Sequence, residues 1–159
     1  MINIIRKAAG LLIAGPFCVI AKTLSLFVGK QKAIELVGPS VTTVVTIIAE
    51  VSLIPKIHHP VEFGTFVKKM KSNLHNLRLL HDVSVEYEDK DTIVLNFKNC
   101  PHCEAFCSLG MSEFGPYACY SDWVIAQKNA EMWSFERSHQ IGTGDTAKVR
   151  GQAFIISLS

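Results

Sequence analysis

Charge is scarce in this sequence. Only 19% of its 159 residues are Asp, Glu, Lys or Arg, and they balance to +2. So small an excess argues against a nucleic-acid partner, since no Lys/Arg cluster is interleaved with aromatics. There is no glycine-rich phosphate loop, which removes the common nucleotide-binding motifs. No internal repeat or low-complexity segment occurs. Long uncharged runs are missing too. The two longest, Ala8 to Ala21 and Leu36 to Ala49, have 14 residues each, against about 18 or more for a membrane span. Pro16 and Pro39 fall inside them. Arg6 and Lys7 ahead of the first run imitate a secretory leader, but Lys22 closes it. Buried helices are the expectation, with a signal peptide and a membrane-surface segment as the alternatives.

What is present is apolar: 48% of the residues. At this length one domain, residues 1–159, buries roughly two thirds of its unfolded surface and needs no disulfide staples. The charges are uneven. Residues 1–59 carry six Lys/Arg and two Asp/Glu, and residues 60–159 carry ten and twelve. Residues 1–57 therefore read as an apolar helical segment and 60–159 as the body of the domain. Helices are expected over 2–28, kinked or split at Pro16, and over 30–38, closed by Gly38. Pro39 then opens another that runs to about Ser52. Phe63, Phe66, Val67, Met70, Leu74 and Leu77 repeat at helical spacing. The period then becomes two. Val83, Val85 and Tyr87, then Ile93, Leu95 and Phe97, predict a hairpin with one buried face. Short helices are expected over 104–109 and 120–129, the second capped by Ser121. Two closing strands flank the turn Gly142 to Asp145. The sum is an α+β domain: a helical N-terminal half packed on a small antiparallel sheet, in the order hairpin, helix pair, hairpin.

The cysteines number five: Cys18, Cys100, Cys103, Cys107 and Cys119. Four lie close together, which suits a site built from reduced, cytoplasmic thiols rather than a secreted disulfide framework. The stretch NCPHCEAFC leaves three chemistries open. Cys100-Pro101-His102-Cys103, between a strand and a helix, has the form of a thiol–disulfide couple. Yet thioredoxin-like folds place that pair early, with a cis-proline behind it. Cys100, Cys103 and Cys107, with His102 or Cys119, have the ligand types of a zinc or iron centre. Such a centre would make the domain a metal- or small-ligand-binding sensor rather than an enzyme. Cys119 with Asp122 three residues on, and His139 on a later strand, has the makings of a catalytic thiol site.

A resemblance sharpens the third reading. NCP, then E-F-LGM, then CYSDW and FERSHQIGTGD resemble the L-2-amino-thiazoline-4-carboxylic acid hydrolase family, over roughly residues 60–147. The resemblance implies a small bacterial hydrolase with a helical N-terminal half. The implied reaction opens a 2-amino-thiazoline ring to an N-carbamoyl cysteine. It centres the site on Cys119 and Asp122, with His139 and Cys103 as further catalytic candidates. Arg137 is the candidate for holding the substrate carboxylate. After the Gly144-Asp145 turn the family tends to carry a cysteine and an acid. Here the positions read Ala147, Lys148, Val149 and Arg150. No cofactor is required, and zinc or iron enters only with the cysteine-ligand reading. The expected partner is a small-molecule substrate. Membrane-surface contact and self-association are both compatible with the apolar segment.

Overall fold

The computed structural model describes residues 2–56, 63–76, 78, 80–90, 92–137 and 152–158. Helices α1 (Ile2–Val28) and α2 (Lys30–Ser52) form a hairpin. It turns at Gly29, whose φ of 81° is a conformation that glycine takes without strain. Helix α3 (Phe63–Asn76) follows. Then come β1 (Val83–Glu88), β2 (Thr92–Phe97), α4 (Pro101–Ser108), a 3-10 turn (Ser112–Phe114), α5 (Gly115–Lys128), β3 (Trp133–Arg137) and β4 (Gln152–Leu158). The fold is α+β. Both expected hairpins pair, β1 with β2 and β3 with β4. They join because β4 also pairs β2 from Thr92↔Ser157 to Phe97↔Gln152. The result is one antiparallel sheet in the order β1-β2-β4-β3.

Two cores hold these layers. In one, α3 lays Phe63, Phe66, Val67, Met70 and Leu74 on Ile93, Leu95 and Phe97 of β2, with Ile125 and Trp133 closing it. In the other, Ala14, Cys18 and Ala21 of α1 meet Val37, Val41 and Val45 of α2, Phe106 of α4 and Phe114 just beyond it. The N-terminal helix is therefore a structural layer of the domain.

Several expectations need correction. Pro16 does not split α1, which runs unbroken through it. An interior proline costs about 3 kcal/mol, and the core contacts of Ala14, Cys18 and Ala21 on either side hold the helix in place. Gly38 does not end a helix either, because α2 passes through both Gly38 and Pro39. A Cβ on Gly38 would collide with the Tyr117 ring, so the glycine serves a close approach between α2 and α5. Thr42 beside it donates its hydroxyl to the Tyr117 carbonyl at 2.8 Å. Helix α5 starts at Gly115-Pro116, a favourable first turn for proline. Ser121 thus lies inside the helix, donating to Ala118 O at 2.7 Å, and is no cap. The β1 face expected to be buried is open: Val85 and Tyr87 are exposed on an edge strand, and the register shifts between them. Taken with their flanking lysines, α1 and α2 are both long and apolar enough to cross a membrane by length and composition. The uncharged runs alone had fallen short of that.

Candidate functional site

A cavity of about 160 Å³ lies where the two cores meet, between α1, α2, the end of β2 and α5. Its walls are mostly apolar: Ile13, Val45, Leu95, Phe97, Ile125 and Trp133 among others. The polar groups that reach it are Asp122 and Cys119 from α5 and Cys100 and His102 from the start of α4. His81 and Asn99 come from the two ends of the hairpin.

Because α5 begins at Gly115, Cys119 and Asp122 sit one turn apart on the same helix face. Asp122 accepts a hydrogen bond from Arg137 Nη1 at 2.9 Å, and the same nitrogen donates to Cys119 O at 3.0 Å. The Arg137 guanidinium also lies 5.6 Å from the centre of the Trp123 ring, which itself meets Phe135 edge-on. Arg137 is buried, with 4% of its side chain accessible, whereas Asp122 keeps 27% and lines the cavity. Arg137 is not among the cavity-lining residues. The structure places it behind Asp122, holding the carboxylate, rather than in the cavity where it would meet a ligand. Burial raises the Asp122 carboxyl to about 7, and the nearby Arg137 charge and hydrogen bond only partly oppose this.

The cysteine stretch separates by depth. Pro101 occupies the first turn of α4, and Cys100 at its N-cap makes no side-chain capping bond. Cys100 and His102 face the cavity. Cys103 is buried behind that wall, its sulfur 3.8 Å from Cys119 Sγ. Hydrogen bonds to the Cys100 and Cys119 thiols, together with burial, push its pKa far up and keep it protonated. Cys107 is exposed, and Cys18 is buried in the second core. None of the five cysteines is in a disulfide. Among the described residues no group of three or more His, Cys, Asp or Glu is arranged to hold a metal ion. Cys100, His102, Cys103 and Cys107 are thus spread over wall, core and surface. His139 and positions 147–150 lie outside the described residues.

His81 and Asn99 were not singled out from the sequence. Asn99 is buried at the end of β2, and its amide spans the hairpin. It accepts from Asp82 N and donates to Leu80 O at 3.1 Å, fixing the backbone on both sides of His81. His81 packs edge-on to Phe97, and its ring centre is 6.5 Å from that of His102. Nδ1 of each ring is buried without a hydrogen-bond partner. Burial, helped by the neighbouring His102 and Arg6, lowers His81 to about 4, and burial lowers His102 as well. Both are neutral imidazoles at neutral pH. The sequence signal was thin: one histidine ahead of a strand and one asparagine after its partner.

No curated protein matches the chain. The family model for L-2-amino-thiazoline-4-carboxylic acid hydrolase matches residues 11–147, most of α1 and everything from α2 to beyond β3. The match takes in both cores and every cavity residue from Leu11 onward, and the chain belongs to the L-2-amino-thiazoline-4-carboxylic acid hydrolase family.

Proposed function

We propose that the cavity takes one small heterocycle, a 2-amino-thiazoline carboxylate, and that Asp122 runs its hydrolytic opening. The observation that carries this is the acidity of Asp122. A carboxylate near 7 in a half-open, largely apolar site exchanges a proton readily at neutral pH. The size agrees, since cavities of about 150 Å³ take a single small ring such as benzene.

The step balances without a cofactor. Asp122, ionised, draws a proton from a water molecule as its oxygen bonds to the ring carbon between nitrogen and sulfur. The carbon–sulfur bond then breaks. The oxygen stays on carbon as a carbonyl, and the two hydrogens of the water end on the former ring nitrogen and on sulfur. Asp122 returns its proton to the departing sulfur. The substrate carboxylate is assigned to the opposite wall, at the uncapped N-terminus of α4, where free backbone N–H groups favour an anion. His81 and His102 flank that point and gain a proton more readily beside a bound carboxylate. Arg137 is a positioning residue.

A second reading has Cys119 attack the same carbon as a thiolate. Its favouring observation is its place one turn before Asp122 on the cavity wall.

The test is thiol release from 2-amino-thiazoline-4-carboxylate, followed with a thiol reagent. Asp122→Asn is expected to lower kcat by about a hundredfold or more with an unchanged circular dichroism spectrum. Cys119→Ser should keep most of the turnover. Full activity in Asp122→Asn would remove the aspartate from the mechanism. A dead Cys119→Ser beside an active Asp122→Asn would establish the thiolate route, and no thiol release from the unaltered chain would reject this substrate.

A further inference from the structure

Helix α1 has two unlike faces. Its inner face is occupied along most of its length. Gly10 lies so close to Pro101 O and Ala105 that a Cβ would overlap them, and Ala14, Cys18 and Ala21 are fully packed in the core. Its outer face is an uncovered apolar stripe. Leu12 is 78% accessible, Val19 66%, Leu26 82% and Phe27 79%, and Ile4 and Ile5 extend the row. The stripe is about 33 Å long at the helical rise. Such surface is far more than the scattered exposed leucines of an ordinary domain.

The charges around the stripe are all of one sign on α1, which has no Asp or Glu. Lys7 and Lys22 are exposed, and their spacing of just over four turns puts them on one flank of the stripe. Lys30 and Lys32 lie at the turn, where Glu113 and Glu35 pair with them. We infer that α1 lies flat on an anionic lipid bilayer, with Leu12, Val19, Leu26 and Phe27 in the acyl boundary and Lys7 and Lys22 among the headgroups. Two alternatives fit the same face less well. A second copy would bring lysine against lysine. Antiparallel pairing of two α1 stripes sets Lys7 within about a turn of the partner's Lys22. A spanning helix would have to leave its partners, because α4 and the second core occupy the inner face.

The experiment is co-sedimentation of the full chain with vesicles of neutral phosphatidylcholine and of phosphatidylcholine mixed with phosphatidylglycerol. Binding is expected to the mixed vesicles only, and to weaken with salt. Leu12→Gln, Val19→Gln and Leu26→Gln together should abolish it. These positions are exposed, so the thermal transition should stay in place and report that the variant folds. Lys7→Gln with Lys22→Gln should weaken binding about tenfold or more. Any of three outcomes overturns the inference: the unaltered chain stays in the supernatant, it sediments as a dimer that the glutamine variant dissociates, or it resists extraction from vesicles by alkaline carbonate.

Discussion

Arg137 acts on Asp122 in two ways. It fixes the carboxylate with a hydrogen bond, and its charge pulls the pKa down against the push of burial. If Asp122 is the base, activity should rise with pH through about 7. Arg137→Gln keeps a donor for Cys119 O but removes the charge. The rising limb of kcat/KM is then expected to move up by about one pH unit or more, while the Asp122→Asn variant has no such limb to move. An unmoved limb in Arg137→Gln would mean that another group titrates. Little of this was legible. Cys119 and Asp122 could be paired from their spacing, because three residues on a helix make a turn. Their partner on β3 could not, since nothing in the sequence tells a buried arginine from a surface one. His81 and His102 meet only because Asn99 ties the two ends of the hairpin together. Nor could the stretch NCPHCEAFC be sorted in advance into wall, core and surface, because depth is a property of what packs on α4.

Elements with one periodic face were legible, and those shaped by their neighbours were not. Helix α3 and strand β2 follow their apolar periods, and Ile93, Leu95 and Phe97 all point into the core. The order of strands was not available, since β4 sits between β2 and β3 by long-range pairing. Gly38-Pro39 looks like a helix stop and restart, yet it is the interior of α2. The real requirement is the Tyr117 ring, and it lies on another helix. Glycine substitutions separate the two meanings. Gly38→Ala and Gly10→Ala should each cost about 1–3 kcal/mol, because the Tyr117 ring and the Pro101 carbonyl have to give way. Gly15→Ala, in the same helix as Gly10 but with nothing near its added Cβ, should gain roughly 0.5–1 kcal/mol from helix propensity alone. Urea midpoints measure all three. Equal effects at Gly10 and Gly15 would show that α1 does not pack on α4 as described.

Asp122 and His81 are both neutral between about pH 4 and 7 because each is buried around the cavity, yet they pull stability in opposite directions with pH. Asp122 sits at about 7 against an ordinary 3.8. A raised folded pKa means that its contribution is complete below pH 3.8 and is lost as pH rises to about 7. His81 sits at about 4 against an ordinary 6.5, so its contribution is complete above pH 6.5 and is lost as pH falls to about 4. His102 is lowered too and adds to the second slope. Between pH 4 and 6.5 the Asp122 and His81 slopes each integrate to roughly 3 kcal/mol and oppose one another, so the urea midpoint of the unaltered chain should change far less than in either variant. Removing one side exposes the other. Asp122→Asn should give a midpoint that climbs from pH 4 to 6.5. His81→Gln with His102→Gln should give one that falls until about pH 7. Parallel curves for the two variants would mean that burial does not set both pKa values. Opposite slopes would show that the carboxylate on α5 and the imidazoles at the hairpin and α4 are each held neutral by burial in the native state.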